Sequence, residues 1–153
     1  MGTKYQGTEE EIRALNSYIK LQRAAETNIN RTTRLLSDHK LTLSQFAVLE
    51  ALYHLGQMSQ VDLAHKLLKS TGNMTSVLKG MEKRGLIQRE RSEVDNRYME
   101  VNLTDSGKQL IANYFPEHVR IIVEEMSALT PDEQEELARL CKKLGLQGDF
   151  TNS

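Results

Sequence analysis

Lys79 and Lys83 stand in one run with Gly72 and Ser76, and the steps of three and four residues between them put all four on one face if that run is helical. The face offers two ammoniums, a hydroxyl with Thr75 beside it, and a glycine where a backbone can be approached closely, and it carries no carboxylate. That chemistry suits a polyanion. Further on, Asp95 and Arg97 place a guanidinium two residues after a carboxylate within a polar turn. A planar guanidinium fits a narrow, electronegative groove, and the carboxylate can hold the turn or orient that side chain. The alternative is a hairpin ion pair with no further role. Arg89 and Arg91, on the run between, are candidates to meet phosphate.

The distribution of charge supports a nucleic-acid reading better than its total. The chain of 153 residues has a net charge of only -1, yet from Leu63 to Arg91 seven basic residues face two acidic ones. Those seven are Lys66, Lys69, Lys79, Lys83, Arg84, Arg89 and Arg91, a local patch of the kind a duplex-binding face needs. From Asp105 onward the balance reverses to nine acidic against five basic, so that third is expected to contact a partner or solvent rather than phosphate. An enzyme finds no support: the chain has no nucleophile and base pairing, glycine-rich phosphate loop or metal motif. The four histidines, His39, His54, His65 and His118, are scattered, so neither a metal nor a cofactor is expected. No stretch is long and apolar enough for a membrane, and the N-terminus lacks the apolar region of a secretion signal. With a single cysteine besides, a reducing cytoplasm is the expected location. Cys141 lies on an apolar stripe and reads as a small buried hydrophobe, with a redox switch as the alternative.

These groups need elements to hold them. Met74, Val77, Leu78 and Met81 recur at helical spacing and give the Lys79 helix an apolar side. Ser59 starts a short helix before it, Ser70 caps the Lys79 helix across the turn Lys69-Ser70-Thr71-Gly72, and Gly85 suits its end. Leu86 to Arg91 and Arg97 to Leu103 read as two strands, with Met99, Val101 and Leu103 inward and Tyr98, Glu100 and Asn102 outward. A helix-turn-helix followed by such a hairpin is a winged helix, with one helix for a major groove and a hairpin tip for the adjacent minor groove. Upstream, a long helix is expected over 8–36, and Thr42 and Gln45 form a capping box for a helix carrying Phe46, Leu49, Leu52 and Tyr53. Downstream, Thr104 caps a helix with Ile111, Phe115, Ile122 and Met126 as its apolar positions and a kink or break expected near Pro116. Thr130 and Pro131 then open a last helix with Leu137, Leu140, Cys141 and Leu144 along one side.

The run Asp95-Asn96-Arg97-Tyr98-Met99-Glu100-Val101-Asn102-Leu103-Thr104 resembles the wing pattern D-x-R-x-x-x-V-x-L-T of the MarR family of bacterial transcriptional regulators. Glu82-Lys83-Arg84-Gly85-Leu86-Ile87 before it and Thr104-Asp105-Ser106-Gly107-Lys108 after it strengthen the likeness. The resemblance is specific over Leu41 to Leu110 and architectural elsewhere. It implies a mainly α, single-domain fold of about six helices and a two- to three-stranded β-wing. The winged helix-turn-helix would span 41–104, with dimerisation helices over 8–36 and 105–146. Thr71, Gly72, Asn73, Thr75, Ser76 and Lys79 match the family's recognition-helix positions, which join Ser70, Lys83, Arg89, Arg91, Asp95 and Arg97 as the expected DNA-binding set.

The implied function is a homodimeric regulator, most often a repressor in this family, that binds a pseudo-palindromic double-stranded operator and is released by a small molecule. The apolar faces of the terminal helices exceed what one small core needs, and a second copy is the simplest cover. In the family the effector sits between the dimerisation helices and the winged helix. Here Tyr18, Arg23, Phe46, Leu49, Tyr53 and Tyr114 would supply an aromatic lining with one cation, suited to a phenolic or carboxylate aromatic compound. The same residues also read as ordinary core with a solvated arginine. A winged-helix module for protein contacts is the alternative function of a different class.

Overall fold

The computed structural model describes residues 2–147 and is mainly helical with one small sheet. In chain order the elements are α1 (Glu9–Thr32), a 3-10 turn (Leu36–His39), α2 (Leu43–Leu55), β1 (Met58–Ser59), α3 (Gln60–Lys66), α4 (Thr71–Lys83), β2 (Ile87–Arg91), β3 (Met99–Leu103), α5 (Asp105–Met126) and α6 (Pro131–Gly145). The caps explain most of the boundaries. Thr8, Thr42 and Thr130 each accept from the backbone three residues on and are answered by Glu11, Gln45 and Glu133 in full capping boxes. Ser59, Ser70 and Thr104 cap α3, α4 and α5 in the same way, without the answering side chain. Gly85, at φ 71°, ends α4, with the Leu86 N–H reaching the Met81 carbonyl at 3.0 Å to close the helix end.

One core lies between α2, α4, α5 and the sheet. Phe46, Leu49, Leu63, Met74, Leu78, Met81, Ile87, Val101, Ile111 and Tyr114 are all buried there. The sheet has the order β1-β3-β2, antiparallel throughout, with Met58 and Arg89 both opposite Val101 and with Glu90 opposite Glu100. Gly107, in the first turn of α5, packs so closely on the Leu86 carbonyl that a Cβ would overlap its oxygen. Thr104 completes that corner by donating from its N–H to the same carbonyl at 3.1 Å and from its hydroxyl to the Gly85 carbonyl at 2.5 Å. The wing is thereby anchored to the start of α5.

Several expectations need correction. The first helix ends at Thr32 rather than reaching Leu36, because the hydroxyls of Thr32 and Thr33 bond back to the Asn28 and Ile29 carbonyls and a 3-10 turn follows. Pro116 does not break α5, which runs unbroken from Asp105 to Met126. A proline there removes only the bond to the Ala112 carbonyl, and Ala112 is exposed to water. The buried stripe of α5 is Ile111, Tyr114, His118 and Ile121, not the stripe ending in Ile122 and Met126, since the core side accepts a tyrosine and a histidine. Glu100 and Asn102 are half-buried rather than outward, because β3 is the central strand. Neither α1 nor α6 buries a single residue within this chain, so Cys141 is exposed here and not a buried hydrophobe.

Candidate nucleic-acid interface

The face built by α4 is presented to solvent. Gly72, Ser76, Lys79 and Lys83 are all exposed, as are Ser70, Thr71 and Asn73 at the helix start. A Cβ at Gly72 would meet nothing within 4 Å, so no neighbour in the chain requires glycine there, and the open space is on the outer side. Lys79 and Lys83 enter no ion pair among the described residues, which leaves both ammoniums free for a polyanion. Ser70 accepts from the Asn73 N–H at 3.2 Å, so its hydroxyl is occupied with capping as well. The unoccupied amides of the first turn point outward at the dipole's positive end.

Thr75 has a different role from the one expected of it. Its hydroxyl donates to the Thr71 carbonyl at 2.9 Å and accepts from Gln60 Nε2 at 2.8 Å, and the residue is half-buried. It ties α3 to α4 and holds the angle of the helix-turn-helix. Arg89 is likewise corrected. Its guanidinium makes paired bonds of 3.1 and 3.2 Å to Glu82 on α4, with 15% of its side chain exposed. It fastens the wing to α4 instead of standing free for phosphate. Arg91 is exposed but donates to the Asn96 carbonyl at 2.9 Å, closing the base of the wing loop. Of the seven basic residues counted from Leu63 to Arg91, Arg84, Arg89 and Arg91 therefore have partners inside the chain. The charge run in the sequence overstated the free cations because residue type does not reveal a partner.

At the wing tip, Asp95 and Arg97 are brought together as their spacing suggests. The Arg97 N–H donates to Asp95 Oδ1 at 3.1 Å, and its guanidinium grips both carboxylate oxygens at 2.7 to 3.2 Å. The hydrogen bond from Arg97 holds the Asp95 carboxyl below its usual range, and the same bond raises the Arg97 guanidinium. Arg97 remains 82% exposed along its side chain, with Tyr98 5.9 Å beneath it, so it is oriented without being covered. This is a preset guanidinium at the end of a β-hairpin.

The six residues proposed for an effector do not meet in one cavity of the single chain. Phe46, Leu49 and Tyr114 are in the core, with the Phe46 and Tyr114 rings edge to face at 5.2 Å. Tyr18 lines an apolar groove between α1 and α6 with Leu21, Leu137, Leu140, Cys141 and Leu144. Tyr53 and Arg23 are exposed. One feature of the core was missed in the sequence: the Tyr114 hydroxyl and His118 Nδ1 are buried without a hydrogen-bond partner. Burial pushes the Tyr114 hydroxyl up, with the Glu117 charge adding to it. His118 lies 4.6 Å from Phe46, so both unpaired atoms belong to one aromatic cluster between α2 and α5. No pattern of apolar spacing singles out a buried histidine.

Among known proteins, the model of the MarR family matches residues 41–98. YkoM, an HTH-type transcriptional regulator of Bacillus subtilis strain 168, is 35% identical over 139 residues, covering 90% of each chain. MhqR, an HTH-type transcriptional regulator of the same organism, is 31% identical over 134 residues, covering 88% of this chain and 92% of its own. Among solved structures, Bordetella bronchiseptica BpsR, described with regulation of its DNA binding by 6-hydroxynicotinic acid, superposes with a TM-score of 0.76 at 26% identity, covering 84% of this chain and 98% of that one. The order of helices, the three-stranded wing and these likenesses agree, and the chain belongs to the MarR family of winged-helix, DNA-binding transcriptional regulators, which are not enzymes.

Proposed function

We propose that the protein is a homodimeric repressor that binds a pseudo-palindromic operator through α4 and the wing and releases it when a small hydroxylated aromatic compound binds. The observation that carries the DNA-binding reading is the exposed, acid-free face of Gly72, Ser76, Lys79 and Lys83 beside the preset Arg97 guanidinium. Ser70, Thr71 and Asn73 extend that face at the helix start. The dimer is supported by α1 and α6, two amphipathic helices that bury no residue in their own chain. A second copy covering them places two α4 helices about 34 to 36 Å apart, one duplex turn.

The effector reading is supported by the unpaired Tyr114 hydroxyl and His118 Nδ1 beside Phe46 and Leu49, where an aromatic ring with a hydroxyl finds both stacking and polar partners. Tyr18, Arg23 and Tyr53 lie outside that cluster, and a partner's helices are needed to bring them to it. BpsR, which 6-hydroxynicotinic acid regulates, lends the ligand class. Operator selection from random DNA tests the first reading. The selected site is expected to be an inverted repeat, bound with an affinity that falls steeply with salt. Arg97→Ala should relax preference at the flanks by about 1 to 3 kcal/mol. An affinity independent of salt removes the electrostatic basis. For the effector, phenols and aromatic acids that release the operator should lose potency against Tyr53→Ala and Arg23→Ala, and full potency against both puts the pocket elsewhere.

A further inference from the structure

Arg84 follows the last turn of α4 and belongs to the basic run, yet its guanidinium is used inside the chain. One nitrogen, Nη1, donates to the Lys40 carbonyl at 2.6 Å and to Gln45 Oε1 at 3.2 Å, joining the end of α4 to a corner about forty residues earlier in the chain. The corner that receives it is rigid on independent grounds. Lys40 is held left-handed at φ 53°, with its N–H closed back onto the Leu36 and Ser37 carbonyls. Leu36 and Leu41 on either side are buried, and the Leu41 N–H bonds the Leu36 carbonyl at 3.0 Å. Gln45 Oε1 also accepts from the Thr42 N–H at 3.1 Å, so the second oxygen is fixed by the α2 cap before Arg84 reaches it. Next to Lys40, His39 lies edge-on to Tyr114 of α5 at 4.8 Å.

We propose that Arg84 is a positioning residue for operator reading, which fixes α4 against the corner 40–45 so that its exposed face enters the groove at one angle. The inference rests on the DNA-binding reading above. Arg84 acts at the end of α4 opposite to Thr75 and Gln60, which hold the start of the helix to α3, and on a different side from Glu82, which holds the wing. The helix is thus held at three points, and Arg84 is the one that refers it to the part of the fold carrying α5. A guanidinium committed to two oxygens of its own chain is not a phosphate ligand, so its contribution is geometric and does not enter the count of released counterions. An exposed bond from a charged donor is modest, and its loss should cost about three- to tenfold in operator affinity.

The experiment uses the full chain, the selected operator and a scrambled duplex of the same length, over a salt series. In Arg84→Ala the operator affinity should fall about three- to tenfold while the scrambled duplex binds as before and both salt slopes are unchanged. Arg84→Lys, which keeps one charged donor for the Lys40 carbonyl, should recover part of the loss and serves as the second variant if alanine impairs folding. Lys83→Ala is the contrasting control, with both duplexes weakened and a slope reduced by about 0.9. A slope reduced to that extent in Arg84→Ala, or equal losses on both duplexes, overturns the proposal. A readout free of DNA separates its failure from that of the DNA-binding reading: amide exchange at Arg84, Gly85 and Leu86 should accelerate in Arg84→Ala. If the unaltered protein prefers no operator, the DNA-binding reading fails, and unchanged exchange at those amides in Arg84→Ala independently overturns the clasp.

Discussion

Glu82 and Arg89 differ from the other charged residues of the DNA-facing half in that their charges are answered across two elements rather than by solvent. Arg89 donates two hydrogen bonds to Glu82, and the first effect of those bonds is to hold the Glu82 carboxyl below its usual range. A carboxyl lowered in the folded state adds stability that is fully present above its ordinary range, and that stability is lost as pH falls through the lowered value. The join between wing and α4 should therefore be intact at neutral pH and loosen only in acid. Protection factors of β2 and β3 amides should fall in acid in the unaltered protein, and Glu82→Gln should remove most of that pH dependence. A wing equally protected across the acid range in the unaltered protein would show that the pair does not fasten it. From sequence, Arg89 could not be told from Lys79, because both are cations in one basic run. The Asp95 and Arg97 pair was legible, since a separation of two residues in a turn is short enough for local geometry to decide it.

At the scale of elements, the caps were legible and the close approaches were not. Thr42 with Gln45, Thr104, and Thr130 with Pro131 announce helix starts because their hydrogen bonds reach only three residues along the chain. β1, two residues long, has no alternation to detect, and the 3-10 turn after α1 comes from threonine hydroxyls whose effect on the backbone depends on rotamer. Gly107 is a long-range case: it is glycine because the Leu86 carbonyl of a separate element occupies the place of a side chain. Gly107→Ala should cost about 1 to 3 kcal/mol or more, read as a lower urea midpoint with an unchanged slope. Gly72→Ala should leave stability unchanged or slightly raised, because its Cβ meets open space and alanine favours a helix. Equal midpoints for the two variants would mean that α5 can withdraw from Leu86 at no cost.

At the scale of the whole molecule, the apolar side chains of α1 and α6 set the expected assembly. Tyr18, Leu137, Leu140 and Leu144 line one groove and are all exposed in a single chain. Leu140→Glu should leave the winged helix folded, shift sedimentation from dimer to monomer, and reduce operator affinity by the loss of simultaneous half-site binding. A variant that still sediments as a dimer would place the contact on another surface. A second copy on this groove would also cover Cys141, which the stripe in the sequence suggested was buried. The division into winged helix and terminal helices was legible because apolar stripes outnumbered what one core could hold. The effector lining was not, since Tyr18 and Arg23 on α1 and Tyr114 on α5 come near one another only if two chains complete the site.

Because α5 is unbroken across 22 residues, it is about 33 Å long at the rise of an α-helix. One end is pinned beside the wing by Gly107 and Thr104, and the other leads into α6. Such a rod works as a lever: a tilt of about 5° at the α6 end displaces the wing end by about 3 Å. That is close to the rise of one base pair, about 3.4 Å, so a small rotation between two copies is enough to put a half-site out of step. Pro116 removes a hydrogen bond near the middle of the rod, two residues from both Tyr114 and His118. The rod is softest where its two unpaired polar groups are, and a molecule that paired them would push at the point of least stiffness.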